Sequence, residues 1–204
     1  MKKHSKIAAI RHMLRSFRES ENYGFPRPDQ PIPENWHATF IEHIASIIRP
    51  IVYVELGLYQ CEVFNKVIPY TQRAIGVDMN PEAEKYMTRS DKSFFVHATT
   101  DEFAASLKHK HLEINMLFID ANHSKEAVQQ DFWNFFPLIV TNGLILIHDA
   151  YPANSYLTSP GYCGNGYKTI AELSRQRDLF ELITIPINPG LAICRKREKQ
   201  LLWE

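Results

Sequence analysis

Six polar side chains and one glycine stand where apolar runs of this 204-residue sequence end: Glu55, Gly57, Asp78, Asp120, His123, His148 and Asp149. Val54-Glu55-Leu56-Gly57 closes one apolar run and precedes a helical one, the junction where an open α/β sheet holds a charged small molecule. Asp78 ends the next run at the roughly 20-residue spacing that suits an acid gripping both hydroxyls of an adenosine ribose. The pattern G-x-G-x-x-G, which brings a backbone close to a pyrophosphate, is incomplete, because only Gly57 is present, with Tyr59 and Cys61 near the other glycine positions. The expected ligand is a nucleoside without phosphates.

Asp120 and Asp149 end two later apolar runs. On adjacent strands, roughly 4.8 Å apart, their carboxylates can share one divalent cation, with His148 or water completing the shell. Such oxygen-rich ligation suits magnesium. His123, three residues beyond Asp120, is the expected general base: an imidazole of near-neutral pKa, close to a hydroxyl that the cation makes more acidic. His148 is the competing base.

The elements that must position these groups follow from hydrophobic periodicity. Asn35 is expected to cap a helix over 36–48, after which strands and helices alternate: strand 51–56, helix 60–68, strand 73–78, helix 81–88, strand 93–97, helix 100–109, strand 114–120, helix 124–139, strand 143–148. That alternation predicts right-handed βαβ units and a parallel sheet. A helix over 166–177 then leads to Phe180–Ile185 and Leu191–Cys194, and the short Pro186–Gly190 connection between them can close only an antiparallel hairpin. The fold class predicted is a Rossmann-like three-layer αβα sandwich, with a seven-stranded, mostly parallel sheet and a reversed last strand.

Net charge is zero and 45% of the residues are apolar, which fits one domain with a sizeable core and gives no global signal for nucleic acid. The first eighteen residues are basic, through Lys2, Lys3, Lys6, Arg11, Arg15 and Arg18, with Ile7, Ile10, Leu14 and Phe17 as a helical stripe. A proline-rich connector follows at Pro26–Pro33, so residues 1–34 are set apart from a domain over 35–204. An amphipathic helix and arm of this kind suit exchange in a homodimer. No run reaches the ~20 apolar residues of a membrane span and no secretory signal follows the basic start. Cys61, Cys163 and Cys194 have neither disulfide nor zinc spacing, and the expected location is cytoplasmic.

Together these motifs resemble class I S-adenosylmethionine-dependent methyltransferases over about residues 36–196. Val54-Glu55-Leu56-Gly57 resembles their first cofactor motif, Asp78 their ribose acid, and Phe118-Ile-Asp-Ala-Asn-His-Ser124 the I-D-G-D-H-S segment of small O-methyltransferases. Asn142-Gly143-Leu-Ile-Leu-Ile-His148-Asp149 resembles their G-G-hydrophobic-H-D strand, and Gly190-Leu191-Ala192 their P-G-L turn. The nearest group contains macrolide-sugar O-methyltransferases and cephalosporin-biosynthesis methyltransferase-like proteins.

The resemblance implies S-adenosylmethionine as cofactor, with Mg2+ beside it, and a small-molecule or glycosyl hydroxyl as acceptor. It places Glu55, Gly57, Tyr59, Asp78, Met79, Thr99, Thr100 and Asp120 at the cofactor, Asp120, His148 and Asp149 at the metal, and His123, Asp120 and His148 in catalysis. Thr99, Thr100 and Asp101 would either cap a helix or border the adenine. Cys61, in place of the usual glycine, is expected to narrow the room beside the methionine part. The loop 150–166, with Tyr151, Tyr156 and Tyr162, is the expected acceptor lid. Metal-free N-methylation and cofactor binding without turnover are the rival readings.

Overall fold

The computed structural model describes residues 35–198 apart from 109, 160 and 177. The basic helix and proline arm expected over 1–34, and His109, lie outside the described residues. Seven strands form one sheet in the order β3-β2-β1-β4-β5-β7-β6. They are β1 (Val52–Leu56), β2 (Arg73–Asp78), β3 (Ser93–His97), β4 (Ile114–Ile119), β5 (Ile139–His148), β6 (Phe180–Ile185) and β7 (Leu191–Lys196). The β1–β2, β1–β4, β2–β3 and β4–β5 pairs are parallel, whereas β7 runs antiparallel to both β5 and β6, as the short hairpin connection requires.

Helices cover both faces, because the strands bury alternate residues on each side. On one face α1 (Trp36–Ile48) and α2 (Glu62–Val67) pack Ala38, Ile41, Val63 and Phe64 over Tyr53, Met116, Phe118 and Leu146. On the other, α3 (Thr100–Ser106), α4 (Lys125–Phe135) and α5 (Tyr167–Leu173) pack Phe103, Phe132, Phe135 and Ile170 over Val54, Leu56, Leu117, Ile119, Ile145 and Ile147. The aromatic run of α4 is core, with Phe132 and Phe135 fully buried.

Several local expectations are corrected. Residues 81–86 form a 3-10 helix, whose first turn holds Pro81 and is capped by Asn80. Asn35 does not cap α1: its backbone is at φ −101°, ψ 36°, and its side chain donates to Glu62 Oε2 at 2.7 Å instead. Pro137 lies in a short 3-10 turn after α4, so that helix ends well before 139. β5 begins at Ile139 and continues through a register irregularity opposite Ile114 and Met116, with Asn142 in the left-handed region at φ 65°.

Candidate active site

The strand order reverses between β1 and β4, and the carboxyl ends of β1, β2, β4 and β5 open on one side of the sheet. Gly57 begins the loop after β1 at φ +84°. A Cβ there would sit 2.3 Å from the Asp120 carbonyl oxygen and 2.6 Å from Ala121 Cα, so only glycine lets the two strand ends approach this closely. Asp78 holds the same loop: its Oδ2 accepts from the Leu58 and Tyr59 amides at 2.8 and 3.2 Å, and its Oδ1 accepts from the Asn80 amide at 2.8 Å. A carboxylate has about four acceptor sites, so about one remains for a ribose hydroxyl, fewer than a grip on both hydroxyls needs. Tyr59 and Met79 flank the loop at 81% and 72% exposure, apolar surface that a nucleoside would cover.

Glu55 is turned away from this crevice. It shares the α1/α2 face with Tyr53, is buried, and its carboxylate accepts from the Tyr53 hydroxyl and the Phe64 backbone at the start of α2. Burial pushes its pKa well up. Thr99 serves as the cap: its hydroxyl oxygen accepts from the Glu102 amide and its backbone is bonded in return, a complete capping box on α3. Thr100 hydrogen-bonds Asp131 on α4. Both threonine hydroxyls thus have partners of their own within the fold. Cys61 is also turned inward. At φ 57° it holds the left-handed backbone that explains why glycine suits this place, but its side chain is fully buried and its thiol points to the Ala83 carbonyl at 3.3 Å. Its thiol takes up no room beside the Gly57–Tyr59 loop.

At the ends of β4 and β5 the polar groups meet. Ser124, and not His123, caps α4, accepting from the Ala127 amide. This leaves the His123 ring to Asp149, with Nδ1 2.9 Å from Asp149 Oδ2 and 2.6 Å from the Tyr162 carbonyl, and Nε2 3.7 Å from Asp120 Oδ1. His148 Nδ1 lies 2.9 Å from Asp120 Oδ1. The hydrogen bond to Asp149 is the chief reason that the His123 pKa rises from 6.5 to about 9, well above the near-neutral value expected of a base. The Asp149 pKa is lowered, its bond to His123 and the charges of His123 and His148 outweighing the opposing effect of burial. The Cys163 thiol also hydrogen-bonds Asp149, and burial holds that thiol up at about 12.

Asp120, His123 and Asp149 each bring a donor atom within 4.8 Å of the others, a spacing that suits one divalent cation. His123, and not the expected His148, falls in this cluster, because the Nδ1 of His148 faces Asp120 and its Nε2 is buried. Asn122, Cys163 and Gly166 complete the wall of this cleft.

The loop 150–166 is tied down over it. The Gly166 amide donates to the His123 carbonyl at 2.8 Å, and a Cβ at Gly164 would strike that carbonyl at 2.4 Å. The Tyr156 and Tyr162 hydroxyls meet at 2.6 Å, with their rings 4.9 Å apart.

Residues 56–150 match a family model described as a methyltransferase domain. Over these residues the chain is similar to a methyltransferase domain. Similar solved structures include the S-adenosylhomocysteine-bound methyltransferase PaMTH1 of Podospora anserina, with 16% identity, a TM-score of 0.66 and 97% of each chain covered. Another is the O-methyltransferase of Bacillus cereus in complex with S-adenosylhomocysteine, at 13% identity and TM-score 0.65, covering 90% of this chain and 89% of that one. A third is the N-methyltransferase NodS of Bradyrhizobium japonicum, at 14% and 0.61, covering 91% and 98%. At such identities the likeness is one of fold. No curated protein matches the chain.

Three groups at this site were missed in the sequence. The Tyr162 carbonyl and the Cys163 thiol come from the loop after β5, and His37 comes from the first turn of α1, where its ring lies 4.2 Å from that of His148. Only their sequence neighbours gave a signal: the tyrosine-rich loop was singled out, while His37 is hidden in an ordinary helical pattern.

Proposed function

We propose that this protein is an S-adenosylmethionine-dependent O-methyltransferase that acts on a hydroxyl of a small molecule or glycosyl group with a divalent cation, Mg2+ being the best match. The carrying observation is the donor cluster of Asp120, His123 and Asp149 within 4.8 Å, beside the Gly57 turn that presses on Asp120. The Gly57–Tyr59 loop, Asp78 and the exposed Tyr59 and Met79 suit the adenosine part of the cofactor. S-adenosylmethionine supplies a methyl group on a positively charged sulfur, open to in-line attack by an acceptor oxygen. A cation between Asp120 and Asp149 would lower the pKa of that acceptor hydroxyl.

The chain's own groups divide the remaining work. Asp120 and Asp149 would hold the cation, while Asp149 and the Tyr162 carbonyl fix Nδ1 of His123 and leave Nε2, off the cation, as the nitrogen that takes the acceptor proton. Since the His123 pKa lies at about 9 in the absence of a cation, the rate rises with pH through the neutral range. The loop 150–166 shields this exchange from water and offers Tyr156 and Tyr162 as a surface for the acceptor.

Other expectations fit this reading without deciding it. Cys61, Cys163 and Cys194 are free and buried, in keeping with a cytoplasmic location, and no helix among the described residues is long and apolar enough to cross a membrane. The separate arm of residues 1–34 and a homodimer belong to the same proposal.

The test is calorimetric titration of the purified protein with S-adenosylhomocysteine and, separately, with Mn2+. Nucleoside binding that survives Asp149→Ala, alongside Mn2+ binding that is lost, supports the metal-assisted reading. Mn2+ binding that is unchanged in Asp149→Ala, or absent from the parent protein, overturns it.

A further inference from the structure

Glu55, expected at the cofactor, has no part in the chemistry above, yet its bonds lead back to the cofactor loop. The helix after that loop, α2, is six residues long, and its N-cap residue does not cap it. Cys61 stands there with a left-handed backbone, and its thiol is directed at the Ala83 carbonyl. The first amides of a helix have no partner within it, and the N-cap side chain ordinarily accepts from the second or third. Here the third is Phe64, and its amide donates to the Glu55 carboxylate, which reaches it from the end of β1. The same carboxylate accepts from the Tyr53 hydroxyl, and the Tyr53 ring lies 6.0 Å from that of Phe64. All three residues are buried, where a hydrogen bond has no competition from water.

Between Glu55 and Phe64 the chain makes the turn that carries the proposed adenosine site. Asp78 accepts from the Leu58 and Tyr59 amides at the start of that turn, and the Cys61 amide closes it onto the Leu58 carbonyl at 2.6 Å. Leu58 is pressed onto β2, where a Cβ at Gly76 would lie 2.7 and 2.8 Å from its methyl carbons. These contacts hold the start of the turn, and the bond from Phe64 to Glu55 holds its end. Acids at the ends of two paired strands, β1 and β2, thus grip the backbone on both sides of one loop. We infer that Glu55 is a positioning residue: it caps α2 in place of Cys61 and so fixes the Gly57–Tyr59 turn in the form that receives the adenosine. It acts through the backbone, without touching the nucleoside. Capping needs an acceptor oxygen and not a charge, so a glutamine here can accept from the Phe64 amide and turn its own amide to the Tyr53 oxygen.

This inference rests on the proposed cofactor site, but its first readout does not. Hydrogen exchange of the full chain without ligand, followed by NMR, compares the Leu58, Tyr59 and Phe64 amides with those of Leu117 and Ile145 in the sheet. Glu55→Met keeps the bulk of the side chain and removes its acceptors. Exchange at the three loop and helix amides should then speed up about 5–30-fold more than at the two sheet amides, the scale of a lost helix cap, and Glu55→Gln should match the parent. As a second readout, S-adenosylhomocysteine affinity by calorimetry should fall about 5–30-fold in Glu55→Met and stay within about twofold in Glu55→Gln, because a turn that is no longer held must be ordered on binding. A folded Glu55→Met whose five amides speed up alike, or which binds as the parent does, overturns the inference, and so does an equal loss of affinity in Glu55→Gln. Should Glu55→Met fail to fold, the double variant Tyr53→Phe with Glu55→Met, which leaves no unpaired hydroxyl, is judged by the same criteria. A parent that binds no S-adenosylhomocysteine, with the selective exchange present in Glu55→Met, removes the cofactor reading and keeps the capping role.

Discussion

The two carboxylates at the ends of β4 and β5 hold a histidine that is a cation at neutral pH, and this has a measurable consequence for stability. The His123 pKa is raised from 6.5 to about 9, chiefly by its hydrogen bond to Asp149. A group whose folded pKa lies above its unfolded one gives stability that is fully present below the unfolded value, here 6.5, and is lost as pH rises through about 9. At roughly 1.4 kcal/mol per unit, the full shift would be worth roughly 3 kcal/mol. The His123 side chain is 38% exposed, however, and solvent screening reduces the expected gain to about 1 kcal/mol. For a chain of this length that corresponds to a melting-temperature change of about 2–4 °C.

His123→Gln keeps a neutral hydrogen-bond donor and removes the charge. Thermal melts of parent and variant, in chelator and from about pH 6 to about pH 9.5, should therefore show a gap of about 2–4 °C at the acid end that closes at the alkaline end. The opposite shift of Asp149 does not confuse the result, because a lowered carboxylate pKa gives stability that is lost only on acidification toward its folded value. Parallel curves across the whole window would refute the reasoning, since they would mean that His123 carries no charge in the folded protein. If a cation competes with that proton, adding Mn2+ should stabilise the parent more at the alkaline end than at the acid end.

Three further outcomes are expected. Asp78→Ala removes the acceptor for the Leu58, Tyr59 and Asn80 amides, so both stability and S-adenosylhomocysteine affinity should drop, the latter about 10–150-fold by calorimetry; unchanged affinity would remove Asp78 from the site. Gly57→Ala puts a Cβ 2.3 Å from the Asp120 carbonyl at φ +84°, and overpacking with backbone strain should cost about 2–4 kcal/mol in denaturant titration, a result that a midpoint equal to the parent's would contradict. Cys61→Gly should leave nucleoside affinity within about twofold, because the thiol is directed at Ala83 and away from the loop; a large gain in affinity would restore the idea that Cys61 crowds the cofactor.

The sheet was legible because its signals are local. The alternation of apolar runs located β2 and β3 to the residue, and a hairpin too short for a crossover placed the reversed strand. Boundaries failed where a proline or a special backbone intervened: Pro81 and Pro137 converted expected α-helix into 3-10 turns, and Asn142-Gly143, which looks like a turn, lies within β5. The strand-end acids of the candidate site were found by the same local logic, yet Glu55 shows its limit. The residue stands at the right end of the right strand, but strand parity sends its side chain to the α2 face, where Tyr53 and the first turn of α2 already provide partners.

What the sequence could not show is which acids and imidazoles pair. Spacing from Asp120 made His123 the expected base and His148 its competitor, but the partners of each ring come from a loop and a helix remote in sequence. The Tyr162 carbonyl and Asp149 take Nδ1 of His123, so its other nitrogen is directed toward Asp120, whereas His148 is enclosed between His37 and Phe118 with its Nδ1 on Asp120. The enclosed histidine is suited to holding a carboxylate in place, and the half-exposed one to exchanging a proton with an acceptor. Kinetics can separate these duties once an acceptor is found. His123→Ala should lower kcat by about 10²–10⁴-fold and remove the rise of rate toward pH 9, whereas His148→Ala should weaken Mn2+ binding and leave the shape of the pH profile intact. A His148 variant that flattens the profile, paired with a His123 variant that keeps it, would exchange the two roles.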